Sequence, residues 1–86
     1  MTPNTKSSDI LLSLSNRELK VWKVHDNTVC VNYEHCEVSD GMFLIGTFGR
    51  GHDFESACDD YLSKIRGKTL VFDSCTDKRS ELTVLG

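Results

Sequence analysis

The sequence predicts an α+β domain of two layers, one amphipathic helix lying across an antiparallel-rich sheet in the order β-β-β-α-β, with room for a further C-terminal strand. Three observations predict it. A capped helical period runs over residues 54–66, a period of two runs over residues 29–34, and the 86 residues contain no repeat or linker that would divide them. One domain over 1–86 is the expected organisation, with residues 1–8, polar and turn-rich, expected to be mobile.

Taken in order, residues 10–14 (I-L-L-S-L) form a short apolar patch that fits either a helical turn or an edge strand. Residues 19–24 read as a strand with two mixed faces, and residues 29–34 as a half-buried one, since Val29, Val31 and Tyr33 alternate with Cys30, Asn32 and Glu34. Asp26 and Asn27 between them are hairpin chemistry. A second turn signal, Asp40-Gly41, precedes residues 42–48. That run is apolar on both faces and is therefore expected at the centre of the sheet, covered on both sides. Residues 49–52 (G-R-G-H) read as a turn into the helix.

The helix has the most independent signals. Phe54, Ala57, Cys58, Tyr61, Leu62 and Ile65 share one face, and Glu55, Ser56, Asp59, Asp60, Ser63, Lys64 and Arg66 fill the other. Asp53 stands at the N-cap, acidic residues precede Lys64 and Arg66 along the helix dipole, and Gly67 can take the left-handed conformation that ends it. Residues 68–72 follow as a strand rich in β-branched and aromatic side chains, residues 73–80 as a loop, and residues 81–85 as a short last strand.

Composition narrows the function classes. A net charge of −3 argues against direct binding of duplex nucleic acid, which calls for a basic face, and favours a protein or small-molecule partner. No run approaches the 18 apolar residues of a membrane span, and the start has no signal-peptide pattern, so the expected location is the cytoplasm. In that compartment Cys30, Cys36, Cys58 and Cys75 are expected as free thiols. They lack the paired spacing of a zinc site, and no metal or other cofactor is expected. A domain this small buries a modest fraction of its surface, which makes homo-oligomerisation an expectation too.

An enzyme is not expected. The chain has no P-loop, no G-x-S-x-G and no H-E-x-x-H. His35 and Cys36 are sequence neighbours that would point to opposite faces of a strand, and no catalytic residue is assigned. Two candidate sites remain. Glu55, Asp59 and Asp60 on the polar helix face, with Trp22 as an aromatic anchor, form a candidate protein interface; solvation of that face and burial of Trp22 are the competing readings. Arg50, Gly51 and His52 form a candidate anion site, because glycines leading into a helix N-terminus offer free N–H groups to a phosphate. Against it stands Asp53, whose carboxylate would compete for the same donors.

A strand ending in G-x-G, followed by D-F-E-S-A-C-D-D-Y-L, is similar over about 30 residues to the pattern of HicB-type antitoxins. Residues 54–74 (F-E-S-A-C-D-D-Y-L-S-K-I-R-G-K-T-L-V-F-D-S), followed by D-K-R-S-E-L, resemble the C-terminal half of small accessory proteins of Gram-positive phages and prophages, over roughly residues 42–85. The second resemblance implies an infected or lysogenic bacterial host. It implies that setting rather than an activity; among such proteins with an assigned function, host-defence antagonists are prominent, so the expected classes are an anti-CRISPR-like inhibitor occupying a host protein such as a nucleic-acid-binding effector, or an oligomeric sponge for a phosphorylated signalling nucleotide. The antitoxin pattern implies a third class, a toxin-neutralising partner protein.

Overall fold

In the computed structural model, which describes residues 6–85, the elements are α1 (Ser7–Leu14), β1 (Leu19–Val24), β2 (Thr28–Tyr33), β3 (Cys36–Asp40), β4 (Phe43–Ile45), β5 (Gly49–Gly51), α2 (Phe54–Ile65), β6 (Thr69–Phe72) and β7 (Ser80–Thr83). The α+β class is as expected, but the strands divide into two antiparallel sheets ordered β1-β2-β5 and β4-β3-β6-β7. A second helix joins them. Of the segment expected to be mobile, residues 1–5 lie outside the described residues, while Ser7 and Ser8 open α1. The choice left at residues 10–14 falls to the helix.

α2 forms where its period and caps place it. The Asp53 carboxylate accepts the Ser56 N–H at 2.7 Å, and this bond holds its pKa below the ordinary value. Ala57, Cys58, Tyr61, Leu62 and Ile65 are buried, but Phe54 in the first turn remains exposed. Gly67 takes φ +74° and donates to the carbonyl of Val84, so the helix exit is tied to the last strand region.

β2 buries Val29, Val31 and Tyr33 as its period requires, but Cys30, expected on the outward face, is buried as well, because Trp22 and Arg50 flank it in register on that side. The β1–β2 hairpin turns through His25, Asp26 and Asn27, the three residues between the paired Val24 and Thr28, with Asp26 and Asn27 both at positive φ. Tyr33 then organises the core. Its ring packs edge-on to Tyr61 and Phe72, each with centroids 5.8 Å away; its N–H donates to the Tyr61 hydroxyl at 3.2 Å, and its own hydroxyl donates to the Leu11 carbonyl within α1. Burial pushes the Tyr33 phenol up to about 12, so it stays neutral and keeps its donor. Each such fully buried large side chain contributes about 1.5–3 kcal/mol of apolar burial.

Two expectations are corrected. Residues 42–48 are not a doubly covered central strand. Only Phe43–Ile45 of this run pairs in the β4–β3 ladder, β3 is its one strand partner among the described residues, and Met42 and Phe43 are 97% and 74% exposed. The inner strand beside it is β3, to which the sequence reading assigns no element, because Cys36 and Val38 are its only apolar residues. Both are buried, and the register Cys36↔Phe72 and Val38↔Leu70 explains why: two apolar positions suffice when each faces a buried partner on β6. The second correction concerns residues 49–51, which are not a free turn but a strand antiparallel to β2, with Val31↔Gly49 and Val29↔Gly51 in register.

Candidate protein-binding surface

The glycines of β5 are there to let α2 approach. A Cβ on Gly49 would stand 2.2 Å from the Ala57 carbonyl oxygen and 2.4 Å from Tyr61, and one on Gly51 would stand 2.6 Å from the Ser56 side chain. The helix lies directly on this strand. Arg50, between the glycines, points to the opposite face and is exposed; its backbone N–H donates to Asp60 Oδ2 at 2.9 Å. His52 is also exposed, with its ring nitrogen 3.8 Å from Asp53. Arg50, Gly51 and His52 are thus adjacent, but the Asp53 and Asp60 carboxylates occupy N–H groups that a phosphate would need.

The acidic helix face is engaged within the chain. Glu55 accepts the Ser8 N–H at 3.0 Å and the Ser8 hydroxyl at 2.7 Å, tying α2 to the first turn of α1; these bonds hold its pKa below the ordinary value. Asp59 accepts a hydrogen bond from the Ser7 hydroxyl. Asp60 takes the Arg50 N–H and pairs with Lys64 at 2.8 Å. Its partial burial pushes its pKa up, and those donors together outweigh that and hold it below the ordinary value. Lys64 also donates to the Phe48 carbonyl at 3.1 Å. Asp60 and Lys64 between them cover the outer backbone edge of β5, so that edge is not offered to another strand.

β1 is different. It pairs only with β2, so its other edge, six residues long, carries backbone groups without a strand partner among the described residues. Val21 and Val24 are exposed, and Trp22 is half-buried. Trp22 packs at 5.8 Å against the exposed ring of Phe48; Lys20 lies over the Trp22 ring and Lys64 over the Phe48 ring, each at 5.8 Å. The register Trp22↔Cys30↔Arg50 sets Arg50 on the same face. In a chain of net charge −3, this edge has two lysines and no carboxylate within the strand.

The sequence reading puts Trp22 on a strand face with Lys20 and Val24 but groups it with the acidic helix face as an interface, and it misses Phe48 and Val21. The signal was present in L-K-V-W-K-V, whose mixed faces are those of an edge strand. Phe48 was hidden inside an apolar run read as core.

The thiols are placed for packing. Cys30, Cys36 and Cys58 are buried and Cys75 is exposed. Burial pushes Cys36 and Cys58 each up to about 11, which keeps them protonated at neutral pH, the weaker form for nucleophilic attack or metal binding. His35, Cys36 and Cys75 line a hollow of about 300 Å³ with Asn32, Glu37 and Ser74. Among the described residues no three His, Cys, Asp or Glu side chains are grouped to hold a metal ion, and no helix is long and apolar enough to cross a membrane. Comparison with protein families, curated proteins and solved structures gives no match to this chain.

Proposed function

We propose that this chain is a non-enzymatic binding protein that occupies a surface of a partner protein, with β1 and the Trp22–Phe48 pair as the contact. The observation that carries this reading is the open six-residue edge of β1, with exposed apolar side chains and an aromatic pair flanked by lysines. An edge of this kind suits an extended acidic segment. The segment's backbone would continue the sheet, its carboxylates would meet Lys20 and Lys23, and Trp22 would supply the desolvated anchor.

The resemblance to phage accessory proteins supports a host-defence component as the partner and the cytoplasm of an infected bacterium as the setting. A nucleotide-sponge function has less support, since carboxylates stand at the backbone donors around Arg50.

Native mass spectrometry of the tagged protein, isolated from a Gram-positive host carrying the phage, tests this. Wild type and an Asp59→Lys/Asp60→Lys variant should retain the same protein partner, and Trp22→Ala should lose it while circular dichroism stays native. If the double reversal releases the partner and Trp22→Ala keeps it, the contact moves to the acidic helix face. A retained nucleotide with no protein would favour the sponge instead.

A further inference from the structure

We propose that β4, together with the cleft beside it, is a self-association surface whose occupant is a second copy of this chain. The argument rests on the second sheet and is independent of the β1 edge.

Among the described residues β4 is an edge strand, paired with β3 alone, and Met42, Phe43 and Ile45 on and before it are exposed. Next to it lies a cleft of about 280 Å³ lined by Val38, Asp40, Ile45, Thr47, Lys64 and Lys68. The register Val38↔Ile45 and Asp40↔Phe43 puts the protruding Phe43 ring and the cleft floor on one face of the sheet. One small patch therefore carries both a projecting aromatic side chain and a hollow to receive one. A two-fold axis through that patch would set each Phe43 in the cleft of the other copy.

The chemistry of the two parts matches. The floor, Val38 and Ile45, is apolar, and the rim carries Asp40, Thr47, Lys64 and Lys68; Lys64 is held by Asp60 and the Phe48 carbonyl, which leaves the Lys68 ammonium to favour the negative face of an aromatic ring. Charge matches as well. Asp40, the register partner of Phe43, would be carried towards Lys68 of the second copy, and among the described residues neither Asp40 nor Lys68 takes part in an ion pair within the chain.

The free backbone edge of β4 adds strand-to-strand pairing to the same contact. Three residues of strand and one aromatic exchange make a small interface, so the dimer should be transient and concentration-dependent.

Sedimentation velocity of the full chain over a wide concentration range is the test. The wild type should pass from monomer to dimer as concentration rises. Phe43→Asp and, separately, Met42→Asp should remain monomeric or shift the transition at least tenfold upward, with melting curves at low concentration unchanged. Asp40→Lys should weaken the dimer, and adding Lys68→Asp to it should restore much of the loss, since the pair is reversed rather than removed. A chain that stays monomeric throughout would overturn the proposal. So would a dimer that tolerates Phe43→Asp, or one broken by Trp22→Ala instead. Binding of the partner protein by the monomeric Phe43→Asp variant would show that the two surfaces act separately and would leave this proposal standing.

Discussion

The polar face of α2 and the apolar run at residues 42–48 exchange the roles their compositions suggest. Three carboxylates on a helix face resemble a docking surface, yet Glu55 caps the start of α1, Asp59 holds Ser7, and Asp60 closes the edge of β5. A dense apolar run resembles a core strand, yet Met42 and Phe43 stand in solvent. The difference teaches that chemical type is a weaker guide to exposure than the position of an element in the sheet order. A charged group beside an unsatisfied backbone N–H is drawn inward, and an apolar group on an edge strand has no layer to cover it.

The largest expected effect breaks the contrast between core and edge directly. Leu62→Asp puts a charge into the buried face of α2, where Leu62 is 3% exposed, and should cost about 4 kcal/mol or more, enough to leave the chain unfolded by circular dichroism at 25 °C. The same change at Phe43 should leave the melting curve at low concentration within a few degrees. Similar curves for the two variants would show that the boundary between core and surface is misdrawn.

Next in size is Gly49→Ala. The added Cβ meets backbone and Cβ atoms of α2 rather than the end of a flexible side chain, so α2 must move off β5, at a cost of about 1–3 kcal/mol in urea denaturation. Gly46→Ala, where an added Cβ meets nothing within 4 Å, is the matched control and should change stability little. Equal effects would mean that β5 and α2 are not in contact as described.

A smaller effect is expected from pH. Asp53, Glu55 and Asp60 all have folded-state pKa values below their ordinary ones, so the folded state binds fewer protons than the unfolded state in that range. Their contribution to stability is complete above the ordinary carboxylate values of 3.8 and 4.5 and is lost as pH falls through the lower folded-state values. The melting temperature should therefore drop as pH is lowered from 5 to 2. Glu55→Gln should flatten part of this slope, and a slope unchanged by the substitution would place the link between α1 and α2 elsewhere.

The smallest effect is Asp60→Asn. Its pair with Lys64 is a half-exposed i,i+4 contact worth about 0.3–0.5 kcal/mol, and the amide can still accept the Arg50 N–H. Two-state urea curves should show a change below about 1 kcal/mol. A larger loss would mean that the covered edge of β5 contributes more to the fold than its exposure suggests.

Local sequence determined what local energetics can decide. α2 with its Asp53 cap and Gly67 exit, the Asp26-Asn27 hairpin and the inward face of β2 (Val29, Val31, Tyr33) each follow from period, capping or turn chemistry within a few residues, and each stands where the sequence puts it; the burial of Cys30 on the other face of β2 does not follow from its period. Ser7–Leu14 was not legible, because its patch is too short for a period and the helix is held from outside by Glu55 and by the Tyr33 hydroxyl. β3, with two apolar residues, could be recognised only through its partner β6. Of the candidate site residues, Trp22 remains on an open surface, while the hydrogen-bond partners of Glu55, Asp59, Asp60 and Arg50 are groups 10 to 52 residues away in sequence. Strand order, the split into two sheets and the identity of the free edges depend on pairings between distant segments. Those pairings are settled by which faces find cover in three dimensions, and that quantity is not written in any single stretch of the chain.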